Sequence, residues 1–210
     1  MKPVQAAGFV LAGGRSSRMG RDKALIPLAG RPMVKHAVEL LTSAGLSATI
    51  AGARPDLAQF APVIPDSDKD RGPLHGICRC LEQAQPELAV FLSVDMPLVP
   101  AGLILSLLEH AQDTGNAVTL ASLGGVPHTF PVVLRRDCLP VLSHELEQGS
   151  AGCMRAFRAA AAAAGQADWA LAVEDLPPHP SRIPPATWFL NVNTPEELAE
   201  AERWFPGPIA

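Results

Sequence analysis

The sequence predicts an α/β layer fold in which a mostly parallel sheet is covered by helices on both faces. Two patterns carry that expectation. Short apolar runs read as strands, and one of them, Leu88–Val94, is apolar at every position but Ser93, as a strand covered on both sides requires. Between and after these runs, apolar residues recur at i, i+3, i+4, i+7, first at Val34, Ala37, Val38 and Leu41, then at Ile104, Leu107, Leu108 and Ala111. Strands that alternate with helices are joined most economically as parallel neighbours.

The elements follow in order. Gly8–Gly13 is a buried strand that runs into glycine. Pro32 stands where the first residue of a helix belongs, and Gly45 stops that helix. Ser47–Ala51 is the second strand, and a Gly-Pro turn at Gly72 leads into a helix over Leu74–Gln83. Leu88–Val94 is the third, followed by the helix that begins near Pro100. The second half is less regular, with strands at Ala117–Ala121 and Thr129–Leu134 and helices around Leu139–Glu147 and Cys153–Ala163. The alanine run Ala159–Ala164 serves as helix filler, because alanine has the highest helix propensity. Pro177–Pro185 is a loop, since proline cannot donate to a ladder. A last strand at Trp188–Leu190 precedes Thr194-Pro195-Glu196-Glu197, whose cap residue, first-turn proline and N3 glutamate start a helix over Pro195–Phe205.

Composition sets the bounds. The 210 residues fit one domain, 1–210, with enough chain to bury a core without metal or disulfide staples. Apolar residues make up 48% and charged ones 18%, so the chain folds rather than staying disordered. A net charge of −4 with no basic stripe argues against a nucleic acid or an anionic membrane as partner, while leaving room for a small anion at a local basic site. The apolar runs are too short to cross a bilayer. Ala6–Ala12 is a meagre signal core with only Lys2 before it, so a cytoplasmic location is expected. The four cysteines show no CxxC pattern and read as reduced thiols rather than zinc ligands.

Four stretches can carry chemistry. Leu11-Ala-Gly-Gly-Arg-Ser-Ser-Arg-Met-Gly-Arg-Asp-Lys-Ala-Leu places Gly13, Gly14 and Gly20 with Arg15, Arg18, Arg21 and Lys23 directly after a buried strand. Backbone N–H groups and flexible cations there suit a phosphate chain, at the strand end where open α/β sheets bind ligands. The spacing fits neither a Walker A loop nor GxGxxG, and a solvated basic turn is the plain alternative. Asp95 ends an apolar strand in Val90-Phe-Leu-Ser-Val-Asp-Met-Pro, which suits a magnesium ligand and equally a cap for the next helix. Asp66-Ser-Asp-Lys-Asp-Arg-Gly-Pro-Leu-His-Gly reads either as a base-recognition turn, whose aspartate accepts from the ring N–H and amino group of guanine, or as a wet acidic loop. Asn191 and Asn193 put two amides on one face of an extended backbone, to hold a ligand or to serve turn and cap chemistry. The six histidines are scattered; His128, the one near a sheet edge, reads as a core or surface residue. No nucleophile–base pairing stands out.

Taken together these motifs resemble the molybdenum cofactor guanylyltransferase family. Leu11–Leu25 is similar to its opening LAGGxSxRMGxDKAL, and Gly72-Pro-Leu-His-Gly76, Asp95-Met-Pro and Asn191-Val-Asn-Thr-Pro-Glu-Glu-Leu198 follow in the family's order. The resemblance implies a Rossmann-like three-layer α/β/α nucleotidyltransferase domain that binds GTP with Mg²⁺. The terminal phosphate of molybdopterin would attack the α-phosphorus of GTP, and pyrophosphate would leave. By the same match, Leu11, Ala12, Gly13 and Gly14 contact the nucleotide, and Lys23 and Asp66 bind GTP. Gly72, Pro73, Leu74 and Gly76 form the base turn, and Asp95 holds nucleotide and Mg²⁺. Arg18 and Lys23 neutralise phosphate charge, and Asn191 and Asn193 line the pterin side. A molybdoenzyme or delivery protein that takes up the labile product is a chemically reasonable partner which the sequence does not name. The chain departs from the family at Ala51-Gly-Ala-Arg54, where members often carry an asparagine, and at Ser150-Ala-Gly152, where basic residues often stand. The rivals are a cytidylyltransferase or another nucleotidyltransferase of the same fold, and a carrier that binds without turnover.

Overall fold

Apolar side chains that alternate between two cores organise the molecule around strand β1 (Ala6–Leu11). The computed structural model describes residues 5–13, 22–65, 72–149, 152–177 and 182–205. After β1 come a small hairpin of β2 (Pro27–Leu28) and β3 (Arg31–Pro32), helix α1 (Met33–Ser43), β4 (Ser47–Ala51) and β5 (Val63–Ile64). Then follow α2 (Pro73–Gln83), β6 (Leu88–Ser93), α3 (Ala101–Thr114), β7 (Val118–Leu123) and β8 (Val126–Arg135). The chain closes with α4 (Leu139–Glu147), α5 (Cys153–Ala163), β9 (Ala170–Ala172) and α6 (Pro195–Glu202).

One sheet of seven strands runs in the order β5-β4-β1-β6-β8-β7-β9. The pairs β1/β4, β1/β6, β4/β5 and β7/β9 are parallel; β8 alone is antiparallel to its neighbours β6 and β7. The mostly parallel α/β expectation therefore holds. On β6, Leu88, Val90 and Leu92 enter one core with residues of α1 and α3, while Ala89 and Phe91 enter the other with residues of α2, α4 and α5. Period-2 alternation into two apolar layers is why this strand lacks a polar face.

One expectation is extended and two are corrected. Residues 117–121 and 129–134 belong to one longer hairpin, turned at Gly124 and Gly125 with φ of 58° and 75°, values that glycine adopts at no steric cost. Trp188–Leu190 is not a strand: Thr187, Trp188 and Leu190 donate their N–H groups three residues back, and the Trp188 indole donates to Ile183 O at 2.8 Å, so the segment is a run of tight turns. The last helix ends at Glu202, and residues 203–205 continue as three-residue turns, the usual tightening of a helix end. Its start is as expected, with a full capping box between Thr194 and Glu197.

Candidate active site

Strand order reverses at the carboxyl ends of β1 and β6: the chain leaves β1 toward β4 on one side, and β6 lies on the other. Ligands of open α/β sheets bind at such a divergence. β1 delivers Leu11, Ala12 and Gly13 to this edge, with Ala12 N–H bonded to Ala51 O and Leu11 O accepting from Val94 N–H, both at 3.1 Å. Among the described residues nothing lies within 4 Å of where a Gly13 side chain would begin. β6 delivers Ser93 and, in the turn that follows, Asp95.

Three residues far apart in sequence meet here. Lys23 sits on a short 3-10 turn, Lys23–Leu25, capped by the Asp22 carboxylate, which accepts from Ala24 N–H at 3.0 Å. Its ammonium donates to Asp95 Oδ2 at 3.1 Å and to Asn193 Oδ1. Asp95 Oδ1 accepts from Ser93 Oγ at 2.5 Å, and Asp95 O accepts from Val192 N–H at 2.8 Å, which ties the Asn191–Asn193 segment to the end of β6. Asp95 does not cap α3, whose N-terminal residue Pro100 has no side-chain cap. Asn193 also donates to Asn191 O at 3.1 Å, so turn chemistry and site chemistry coexist in this pair.

The helix α2 opens at the same edge. Gly72 has φ 77°, a left-handed value that glycine favours, and Pro73 takes the first helical position. The Leu74 side chain is fully buried in the core and Gly76 is also buried, so both face away from solvent. What this turn presents outward is the Gly72 backbone and the exposed Pro73 ring. Gly14, Arg15, Arg18 and Arg21 of the glycine loop, and Asp66 of the acidic loop, lie outside the described residues.

From Asp95 a cleft of about 540 Å³ opens toward β8 and the start of α5, lined by Pro73, Ser93, Asp95, His128, Thr129 and Asn191 among others. His128 thus belongs to the site edge, a placement its sequence surroundings did not disclose. Burial lowers its pKa, which keeps the imidazole neutral at pH 7. Burial pushes the Cys138 and Cys153 thiols up to about 12, which disfavours their thiolate forms.

Comparison with known proteins agrees with this architecture. Residues 8–164 match the MobA-like NTP transferase domain. The chain belongs to that family. A molybdenum cofactor guanylyltransferase of Rhizobium johnstonii is 32% identical over 206 residues, covering 94% of this chain and 92% of its own. The crystal structure of molybdopterin-guanine dinucleotide biosynthesis protein A from Archaeoglobus fulgidus superposes with a TM-score of 0.75 at 20% identity, covering 94% of this chain and 97% of its own. A 2-C-methyl-D-erythritol 4-phosphate cytidylyltransferase from Thermus thermophilus superposes with a TM-score of 0.65 at 18% identity, over 94% and 97%. These two structures share the nucleotidyltransferase fold.

Within this MobA-like frame, Arg54 acts as a brace between segments. Its guanidinium reaches both oxygens of Asp56, at 2.9 and 2.7 Å, and forms an ion pair with Asp22, the residue that caps the Lys23 turn. The hydrogen bonds from Arg54 hold the exposed Asp56 carboxylate below its usual range. Through Arg54 the chain ties the end of β4 to the lysine turn. Arg54→Ala is expected to lower kcat/KM for nucleotidyl transfer by about tenfold with little change in Tm, and Arg54→Lys, which keeps a charge but not the fork, to fall between. Steady-state kinetics with a melting curve checks both.

Proposed function

We propose that residues 1–210 act as a single Mg²⁺-dependent nucleotidyltransferase domain that moves GMP from GTP to the terminal phosphate of molybdopterin and releases pyrophosphate. The observation that carries this reading is the meeting of Lys23, Asp95 and Asn193 at the strand-order reversal of a MobA-like chain. One P–O bond forms between the acceptor phosphate oxygen and the α-phosphorus, and the bond from that phosphorus to the bridging oxygen of the β-phosphate breaks. A phosphate monoester is already anionic at neutral pH, so the reaction needs no strong base. The protein's task is to align two polyanions and neutralise the charge between them.

Lys23 supplies a fixed positive charge to the triphosphate, joined by Arg18 from the glycine loop. Leu11, Ala12, Gly13 and Gly14 present backbone to the nucleotide. Asp66 and the Gly72–Gly76 turn, through its backbone, take the edge of guanine. Asn191 and Asn193 face the acceptor. Magnesium fits the donor set, because the turn after β6 sets the Asp95 carboxylate at the cleft, and Mg²⁺ is commonly held by one or two carboxylates with substrate phosphates. Asp95 is the carboxylate that would hold it, and the ion would neutralise charge developing on the phosphates. No helix among the described residues is long and apolar enough to cross a membrane, and the reading places the enzyme in the cytoplasm.

The test is a melting experiment with GTP, CTP and ATP, each with Mg²⁺. At a hundredfold excess over Kd, GTP is expected to raise Tm by roughly 5–10 °C. CTP and ATP are expected to raise it far less, because a site built to hydrogen-bond one base leaves groups unpaired with another. Equal shifts with all three nucleotides would remove the guanine assignment.

A further inference from the structure

His128 lies flat against Phe189, with ring centroids 3.7 Å apart and planes 6° from parallel. Phe189 is itself buried and covers one face of the imidazole. His128 nevertheless lines the cleft with Pro73, Asp95, Thr129 and Asn191, so its opposite face and its edge are what the cleft meets. We propose that this face, backed by Phe189, is the stacking platform for the planar ring of the acceptor, which lies in the cleft on the β8 side of Asp95; the assignment rests on the guanylyltransferase reading above.

Three arguments lead there. The sheet order β1-β6-β8 puts Asp95, at the end of β6, between the nucleotide edge of β1 and the strand that carries His128. Two substrates whose phosphates must meet beside Lys23 and Asp95 therefore approach from opposite sides, and the cleft is the approach from β8. A ring already clamped by Phe189 loses little rotamer freedom when a ligand arrives, so stacking on it is preorganised. A neutral imidazole is also a poor partner for phosphate and a good one for a flat, uncharged heterocycle, and burial favours that neutral form. Beside the platform the cleft mixes apolar residues such as Pro73 and Met96 with polar ones, and Thr129 and Asn191 are available to the polar edge of such a ring.

The experiment compares the full chain with His128→Ala and His128→Phe. It measures steady-state transfer with GTP and molybdopterin, the GTP-induced rise in Tm, and fluorescence-detected binding of the probe 6-hydroxymethylpterin. His128→Ala is expected to raise the acceptor KM about tenfold and to weaken probe binding to a similar degree, with GTP KM and the GTP-induced shift unchanged. His128→Phe, which keeps a stacking ring, is expected to restore both values to within about twofold. An unchanged acceptor KM in His128→Ala, a GTP KM that rises in parallel, or a His128→Phe variant as weak as His128→Ala overturns the platform. If the unaltered protein transfers no GMP, the guanylyltransferase reading fails, and the platform is still decided by whether probe binding depends on residue 128.

Discussion

Replacing Lys23 with alanine is expected to lower kcat/KM for GMP transfer by about 10²- to 10³-fold, and Asp95→Asn by a comparable factor, while both proteins stay folded. The size follows from what in-line phosphoryl chemistry asks of a protein. With no covalent intermediate to build, most of the barrier reduction comes from preorganised charge and alignment, and removing one such group typically costs factors of this order. The ammonium of Lys23 is preorganised: it is fixed from the Asp22-capped turn, from Asp95 and from Asn193 at once. Folding survives because neither side chain belongs to the apolar core; 23% of Lys23 and 17% of Asp95 remain exposed. Asparagine at 95 keeps the shape and an acceptor for Ser93 while deleting the charge. The double variant is expected to lose much less than the product of the two factors, because the residues act as a unit. Single-turnover transfer and a melting curve on each protein check this; transfer within about tenfold of normal in both single variants would place the chemistry elsewhere.

Phe91→Ala is expected to cost about 3–5 kcal/mol of folding stability, a large share of the roughly 5–15 kcal/mol that holds a typical domain. Phe91 has no exposed surface and lies on β6, between β1 and β8 in the sheet. It stacks on Phe9 of β1, with ring centroids 5.1 Å apart and planes 20° from parallel. Truncation removes buried area, leaves a cavity in a two-sided core and deletes an aromatic pair. A Tm lower by roughly 10 °C or more is the corresponding thermal result. Leu105→Ala is the control: this α3 side chain is 48% exposed, and its removal is expected to change stability by less than about 0.5 kcal/mol. Urea titration of the three proteins measures both values, and a loss below about 1 kcal/mol for Phe91→Ala would mean that the core repacks around the gap.

Part of the candidate site was legible residue by residue: Leu11–Gly13 and Asp95 stand where the apolar patterns of β1 and β6 end. Asn191 and Asn193 were legible as amides before the α6 capping box, and the glycine loop beyond Gly13 lies outside the described residues. Ser93 was not singled out, because its bond to Asp95 depends on the turn that follows β6. Arg54 was visible as a departure from the family pattern, but its role as a brace needs two carboxylates on separate segments, and no spacing rule foretells that. His128 left only its place near a sheet edge: a histidine two residues before Phe130-Pro131 reads as a core or surface residue until Phe189, 61 positions away, is found beneath it.

By itself the chain determined the alternation of buried strands and amphipathic helices, the capping of α6 and the residue types at each strand end, because periodicity, propensity and capping are properties of neighbours in sequence. Only the tertiary structure decided that β8 enters antiparallel between β6 and β7, that Lys23 meets a partner 170 residues away, and that a cleft runs from Asp95 to His128. An apolar run records that a strand is covered on both faces without recording by what. Strand order and side-chain convergence come from long-range pairing, which is settled when the whole core closes.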